Sequence, residues 1–185
     1  MNPIFAAALE AQQFCLYHGY RFCFIGALAV QRWGEPRLTQ DVDLTILTGF
    51  GGEEPYVDAL LGRFAARLAD AREFALRNRV VLVESRTGVP IDVALGAMPF
   101  EEHAVERASP FEIGGAKLTT CSAEDLIVFK AFAGRDKDWL DVESVAIRQA
   151  GRLEIDRVWA ELLPLLELKQ DPLAADRLRR LLARG

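Results

Sequence analysis

Residues 22–47, FCFIGALAVQRWGEPRLTQDVDLTIL, decide how the rest of the chain is read. Phe22 to Ile25 is a short apolar run with aromatic and β-branched residues, as a buried strand requires. Gly26 and Ala27 follow at once, and Ala27 to Trp33 has helix-forming composition closed by Gly34 and Pro36. Then Asp41 to Ile46 alternates polar and apolar. In a strand this puts Asp41, Asp43 and Thr45 on one face and Val42, Leu44 and Ile46 on the other.

Two carboxylates at i and i+2 on a strand lie roughly 7 Å apart at Cα and point the same way. Their oxygens suit a pair of hard cations roughly 3.5–4 Å apart, the spacing used in phosphoryl transfer. Mg²⁺ prefers oxygen ligands and keeps waters and substrate phosphates in its shell, so few carboxylates suffice. The start of a helix just after a strand offers free N–H groups to an anion, and Gly26 permits close approach to the backbone. The acidic pair alone says little. A chain of 185 residues with 27 acids carries about four such pairs by chance. Asp136/Asp138 and Glu154/Asp156 are other examples, and a solvated strand face is the bland alternative.

The ordered set carries more weight than the pair. Gly26-Ala27-x-Ala29, Gly34 and Arg37-x-Thr39-x-Asp41-Val42-Asp43-Leu44 resemble the signature of the nucleotidyltransferase superfamily related to DNA polymerase β. The closest resemblance is to the AbiEii-like toxin nucleotidyltransferases of type IV toxin–antitoxin systems, over roughly residues 20 to 145. One departure stands out: the superfamily's first motif usually reads Gly-Gly or Gly-Ser, and here it is Gly26-Ala27. Alanine lacks a hydroxyl for a phosphate, though its N–H remains.

Further along, Val80 to Glu84 and Val89 to Leu95 read as a hairpin across Thr87-Gly88. Asp92 is the lone acid of its strand. A charge buried there without a partner costs several kcal/mol, so the residue either lies on an exposed face or has a cation beside it. The resemblance assigns it the place of the third metal-binding carboxylate, which also helps activate the acceptor hydroxyl. Gly114-Gly115 marks a second hairpin, and Ser122 caps a helix with Glu124 and Asp125 in its first turn.

That helix carries Leu126, Ile127, Phe129 and Phe132 as core candidates, with Lys130 the one cation from Leu126 to Ala133. Taken alone, such a lysine snorkels to the surface. Lys130, Ala133, Arg135, Lys137, Asp138 and Asp141 match the family's Lys-x-x-Ala-x-Arg-x-Lys-Asp-x-x-Asp block. The resemblance implies that Lys130 holds the nucleotide phosphates. It leaves Asp141 to orient Lys130 or to contact base or metal, and Asp138 to pair with Arg135.

Elsewhere, residues 3–18 read as a helix capped by Asn2 and stopped by Gly19, and Tyr56 to Ala71 as another. The segment from Asp156 is helical in composition, with Pro164 marking a kink and Pro172 a new start. Arg63, Arg67, Arg72, Arg77, Arg79 and Arg86, and Arg177, Arg179, Arg180 and Arg184, are two basic clusters. They read as solvated faces or as an RNA or partner surface. The formal charge of −5 argues against a general nucleic-acid coat. No apolar run is long enough to span a membrane, and the N-terminus lacks a signal peptide's basic region. Cys15, Cys23 and Cys121 are far apart in apolar surroundings and read as reduced core thiols of a cytoplasmic protein, with no zinc spacing.

The expected architecture is α/β: a small mixed β-sheet flanked by helices, the nucleotidyltransferase fold, over residues 1–150, with a C-terminal helical segment over 151–185. By resemblance, Asp41, Asp43 and Asp92 bind two Mg²⁺ ions and carry the chemistry. Gly26, Ala27, Arg37, Thr39, Lys130 and Asp141 bind the NTP. The acceptor is a tRNA 3′ end or a protein, and an antitoxin protein is the partner. The alternative is a non-catalytic nucleotide-, RNA- or protein-binding relative that keeps the fold.

Overall fold

The computed structural model describes residues 2–183, so Arg184 and Gly185 lie outside the described residues. The chain divides into two compact units. One comprises residues 1–28 and 38–121, and the other residues 29–37 and 122–185. The sequence reading drew its boundary at 150/151. The contacts group the helices from residue 122 onward together.

The first unit contains α1 (Pro3–Tyr17), β1 (Phe22–Phe24), the start of α2 (Gly26–Trp33), β2 (Val42–Leu47) and α3 (Glu54–Arg63). It continues with β3 (Ala65–Ala66), α4 (Ala71–Asn78), β4 (Val80–Glu84), β5 (Pro90–Gly96), α5 (Pro99–Arg107), β6 (Ser109–Ile113) and β7 (Ala116–Thr120). The strands form one sheet in the order β3-β4-β5-β2-β1-β7-β6. The sheet is mixed: β2 runs parallel to β5 and antiparallel to β1, while β1 runs parallel to β7. Both expected hairpins form, β4–β5 and β6–β7.

The alternation in β2 and β5 explains why one sheet face is dry. Val42, Leu44 and Ile46 with Ile91, Val93 and Leu95 pack in one core with Ala7, Ala8, Ala11, Phe14 and Cys15 of α1 and Val57 and Leu60 of α3. α1 starts as its sequence requires, with Asn2 Oδ1 accepting the Ile4 N–H at 2.9 Å and Pro3 in the first position. The three cysteines are free and buried, and burial pushes the Cys15 thiol up to about 12.

One helix ends earlier than its periodicity suggests. The pattern from Tyr56 to Ala71 predicts a single helix, but α3 stops at Arg63 and Phe64 is extended. Ala65 and Ala66 then pair with Glu84 and Val83 at the sheet edge. Phe64 stays buried, its ring 5.4 Å from that of Phe14. Edge pairing and the aromatic contact override the helical preference of two alanines.

The second unit contains α6 (Ala123–Ala133), α7 (Asp136–Arg148), α8 (Ile155–Lys169) and α9 (Pro172–Leu182). Ser122 caps α6 as expected, its Oγ accepting the Asp125 N–H at 3.1 Å. Leu126, Ile127 and Val128 are fully buried, whereas Phe132 is exposed beneath Lys169 Nζ at 5.3 Å. Val128, not Phe132, therefore belongs to the core. Pro164 lies inside α8, which runs on to Lys169 and ends at Gln170 with φ +58°. Among the described residues no helix is long and apolar enough to cross a membrane.

Candidate active site

The polar face of β2 and β5 carries the first cluster. Asp43 and Asp92 are register partners in the parallel pairing of the two strands, so their Cα atoms lie roughly one strand spacing, about 4.8 Å, apart. Both are half-buried, as is Asp41, which stands one residue before β2. Thr39 Oγ1 donates to Asp41 Oδ1 at 2.8 Å. At the far end of the same face Thr45 is buried and donates to Glu101 Oε1 at 3.4 Å. This strand face is thus open at Asp41 and Asp43 and covered at Thr45.

Gly26 is required here twice over. Its φ is +60°, a left-handed conformation that side chains avoid, and an added Cβ would lie 2.0 Å from Asp43 Oδ2. The backbone at the start of α2 therefore abuts the Asp43 carboxylate, and the Ile25 N–H donates to the Asp43 carbonyl at 3.0 Å. Ala27 is buried.

Asp92 left two alternatives open in the sequence, an exposed face or a neighbouring cation. The structure supplies the cation: Arg67 Nη1 donates to Asp92 Oδ1, with both side chains about one-third exposed. The sequence marks Arg67 only as one of a basic cluster within a helical pattern from Tyr56 to Ala71, with nothing to pair it with Asp92. Other members of the middle arginine cluster are likewise matched to acids: Arg63 and Arg86 to Glu10, Arg72 to Asp58 and Glu54, and Arg79 to Glu53. Five of its six arginines are thus in local ion pairs, and Arg77 is exposed.

The chemistry of the strand carboxylates suits a hard divalent cation: oxygen donors side by side on adjacent strands, with a backbone cradle at Gly26. Among the described residues no three histidine, cysteine, aspartate or glutamate side chains converge into a metal nest as they stand. Asp92 is engaged by Arg67 and Asp41 by Thr39.

The second cluster lies wholly in the helical unit. Lys130 Nζ sits 2.8 Å from Asp141 Oδ2 and 3.2 Å from Asp138 Oδ1, and all three residues are buried. Arg37 grips Asp141 in two-pronged fashion, Nε at 2.8 Å and Nη2 at 2.9 Å. Arg135 Nε reaches Asp138 Oδ2 at 2.6 Å. The sequence expected Lys130 to face a nucleotide phosphate; its ammonium is taken by two protein carboxylates. Asp141 pairs with Lys130, and Asp138 pairs with Arg135 as well as with Lys130. Burial raises the carboxyl pKa of Asp138, but hydrogen bonds and charge from Arg135 and Lys130 outweigh it, so the net shift is downward. At Asp141 burial also opposes ionisation, and the hydrogen bonds from Arg37 and Lys130 again win. The same unit fastens its loop at Gly34, whose carbonyl accepts from Arg148 Nη1, and at Glu35, whose N–H donates to Ser144 Oγ at 3.2 Å.

A family model for the nucleotidyl transferase AbiEii toxin of type IV toxin–antitoxin systems matches residues 14–183. The chain belongs to the AbiEii nucleotidyltransferase family. Solved structures share the fold at low identity. An antigenic nucleotidyltransferase-like protein from Paracoccidioides brasiliensis superposes with TM-score 0.52 at 16% identity, covering 94% of this chain and 90% of its own. The antibiotic-resistance factor ANT(2'')-Ia superposes with TM-score 0.54 at 16% identity, covering 90% and 92%. No curated protein sequence matches the chain. The strand carboxylates fall in the first unit, and Lys130, Asp138, Asp141 and Arg37 fall in the second.

Proposed function

We propose that this protein is a divalent-metal-dependent nucleotidyltransferase that moves a nucleoside monophosphate from an NTP to an acceptor hydroxyl. The observation that supports this most is the placement of Asp43 beside Asp92 on β2 and β5, with Gly26 closed against Asp43. Asp41, Asp43 and Asp92 would hold two ions of the Mg²⁺ type, which would supply charge neutralisation for the triphosphate. The N–H groups of Gly26 and Ala27 at the start of α2 would take phosphate oxygens. Asp92 would accept the proton of the acceptor hydroxyl. The hydroxyl oxygen bonds to the α-phosphorus, the bond to the β-phosphate bridge breaks, and pyrophosphate leaves. Thr39 holds Asp41 in place. Lys130 enters this reading as the support of Asp141, and Asp141 as the anchor of Arg37 and its loop.

The acceptor in this reading is a tRNA 3′ end or a protein side chain, acted on in the cytoplasm. The physiological setting in this reading is that of a toxin with an antitoxin partner, in keeping with the AbiEii family's type IV toxin–antitoxin systems. The test is a labelling assay with Mg²⁺, each α-labelled NTP in turn, and total tRNA or cell protein. Wild type should transfer label. Asp43→Asn should lose at least about a hundredfold in rate, as expected when transition-state charge stabilisation is removed, and should melt within a degree or two of wild type. Full activity in Asp43→Asn sinks the reading. No label together with no NTP binding moves the protein to a non-catalytic class.

A further inference from the structure

Asp92 stands between two calls on its carboxylate. On one side β5 borders β2, where Asp43 is its register partner. On the other side β5 borders β4, where Leu82 is its partner, and the Leu82 carbonyl accepts the Arg67 N–H at 3.1 Å. Arg67, Leu82 and Asp92 thus share one rung, with Arg67 at the sheet edge just after β3. Two strand spacings, roughly 10 Å at Cα, separate Arg67 from Asp92, a span that a long guanidinium side chain reaches. The observed ion pair engages Asp92 from the side of the sheet edge that Arg67 occupies.

We propose that Arg67 is a positioning residue of the carboxylate site: it neutralises Asp92 before metal loading and competes with a divalent cation for that carboxylate. The inference rests on the metal-site reading above. Without Arg67, three acids on one strand face repel each other and their demand for a cation rises. With Arg67 in place, loading a cation requires the guanidinium to release Asp92. Both side chains are about one-third exposed, so the exchange takes place in contact with water and carries a modest coupling.

The probe is Mn²⁺ alone, titrated calorimetrically into the full chain. Arg67→Gln should bind Mn²⁺ about fivefold more tightly than wild type, the size expected for a partly exposed ion pair. Arg67→Lys, which keeps the charge, should stay within about twofold of wild type. The double variant Arg67→Gln/Asp92→Asn should bind like Asp92→Asn alone. A readout that needs no variant is the Arg67 Nε–H resonance of the wild type, which should shift as Mg²⁺ is added. Unchanged or weaker Mn²⁺ binding in a folded Arg67→Gln, or an unmoved resonance in a protein that binds Mg²⁺, overturns the role of Arg67 and leaves the metal site standing. Absence of Mn²⁺ binding in both wild type and Arg67→Gln overturns the two together.

Discussion

The strand-face cluster and the helical cluster are built from the same residue types and treat their charges in opposite ways. Asp41, Asp43 and Asp92 remain half-exposed, and with Arg67 the named groups sum to an excess of negative charge. Asp138 and Asp141 are sealed from solvent, and with Lys130, Arg37 and Arg135 the named groups sum to an excess of positive charge. A buried carboxylate supplied with two cations is a structural joint, because its charge is already spent. A half-exposed carboxylate face remains within reach of an added cation. Removing groups from the helical cluster should therefore unfold the protein, whereas removing them from the strand face should disarm it.

The sharpest way to break that contrast is Lys130→Met. It strands two buried carboxylates with weaker neutralisation, and the expected loss is about 3 kcal/mol of stability, read as a lowered midpoint in urea denaturation. An unchanged midpoint would mean that Arg37 and Arg135 suffice and that the lysine serves something other than folding. Next in size is Gly26→Ala. Left-handed backbone costs an alanine about 1–2 kcal/mol, and its Cβ also displaces the Asp43 carboxylate. This variant should both melt lower and bind Mn²⁺ more weakly, in contrast to Asp43→Asn, which should do only the second. The smallest effect is the response to acid. Asp138 and Asp141 titrate below their ordinary range when folded. Their contribution is thus complete above the unfolded aspartate value of about 4 and is lost as pH falls through the folded values. Denaturation midpoints taken from pH 7 to pH 3 should drop at the acid end in wild type and drop less in Lys130→Met, where those carboxyls no longer hold their protons so loosely.

Much of this arrangement was legible in the residues themselves. Period-two alternation around Asp43 and Asp92 fixed which side chains share a face, because a strand leaves no other choice. Gly114-Gly115 and Thr87-Gly88 marked their hairpins through turn chemistry. What the sequence hid depended on contacts distant in the chain. Ala65, Ala66 and Arg67 continue a helical pattern, and only the open edge of β4 turns the two alanines into a strand with Arg67 just beyond it. Lys130 was singled out correctly as an anomaly in an apolar helix, yet its partners lie eight and eleven residues on, across a helix break at Gly134. Gly26 was noticed for what it might let in. The structure adds that the space beside it is already filled by Asp43.

The division of the chain bears on how the protein is made. Residues 29–37 belong with the helices after 122, and β1 finds its parallel neighbour only in β7. Neither unit is therefore a contiguous stretch of polypeptide. A ribosome that has released everything up to Ile113 has delivered all of Asp41, Asp43 and Asp92, but the sheet still lacks β7, and the segment from Ala29 to Arg37 has none of its partners. At elongation rates of about 5–20 residues per second, β7 follows within about a second, and the helices after residue 122 take several seconds more. No single peptide bond therefore separates the two units of this chain.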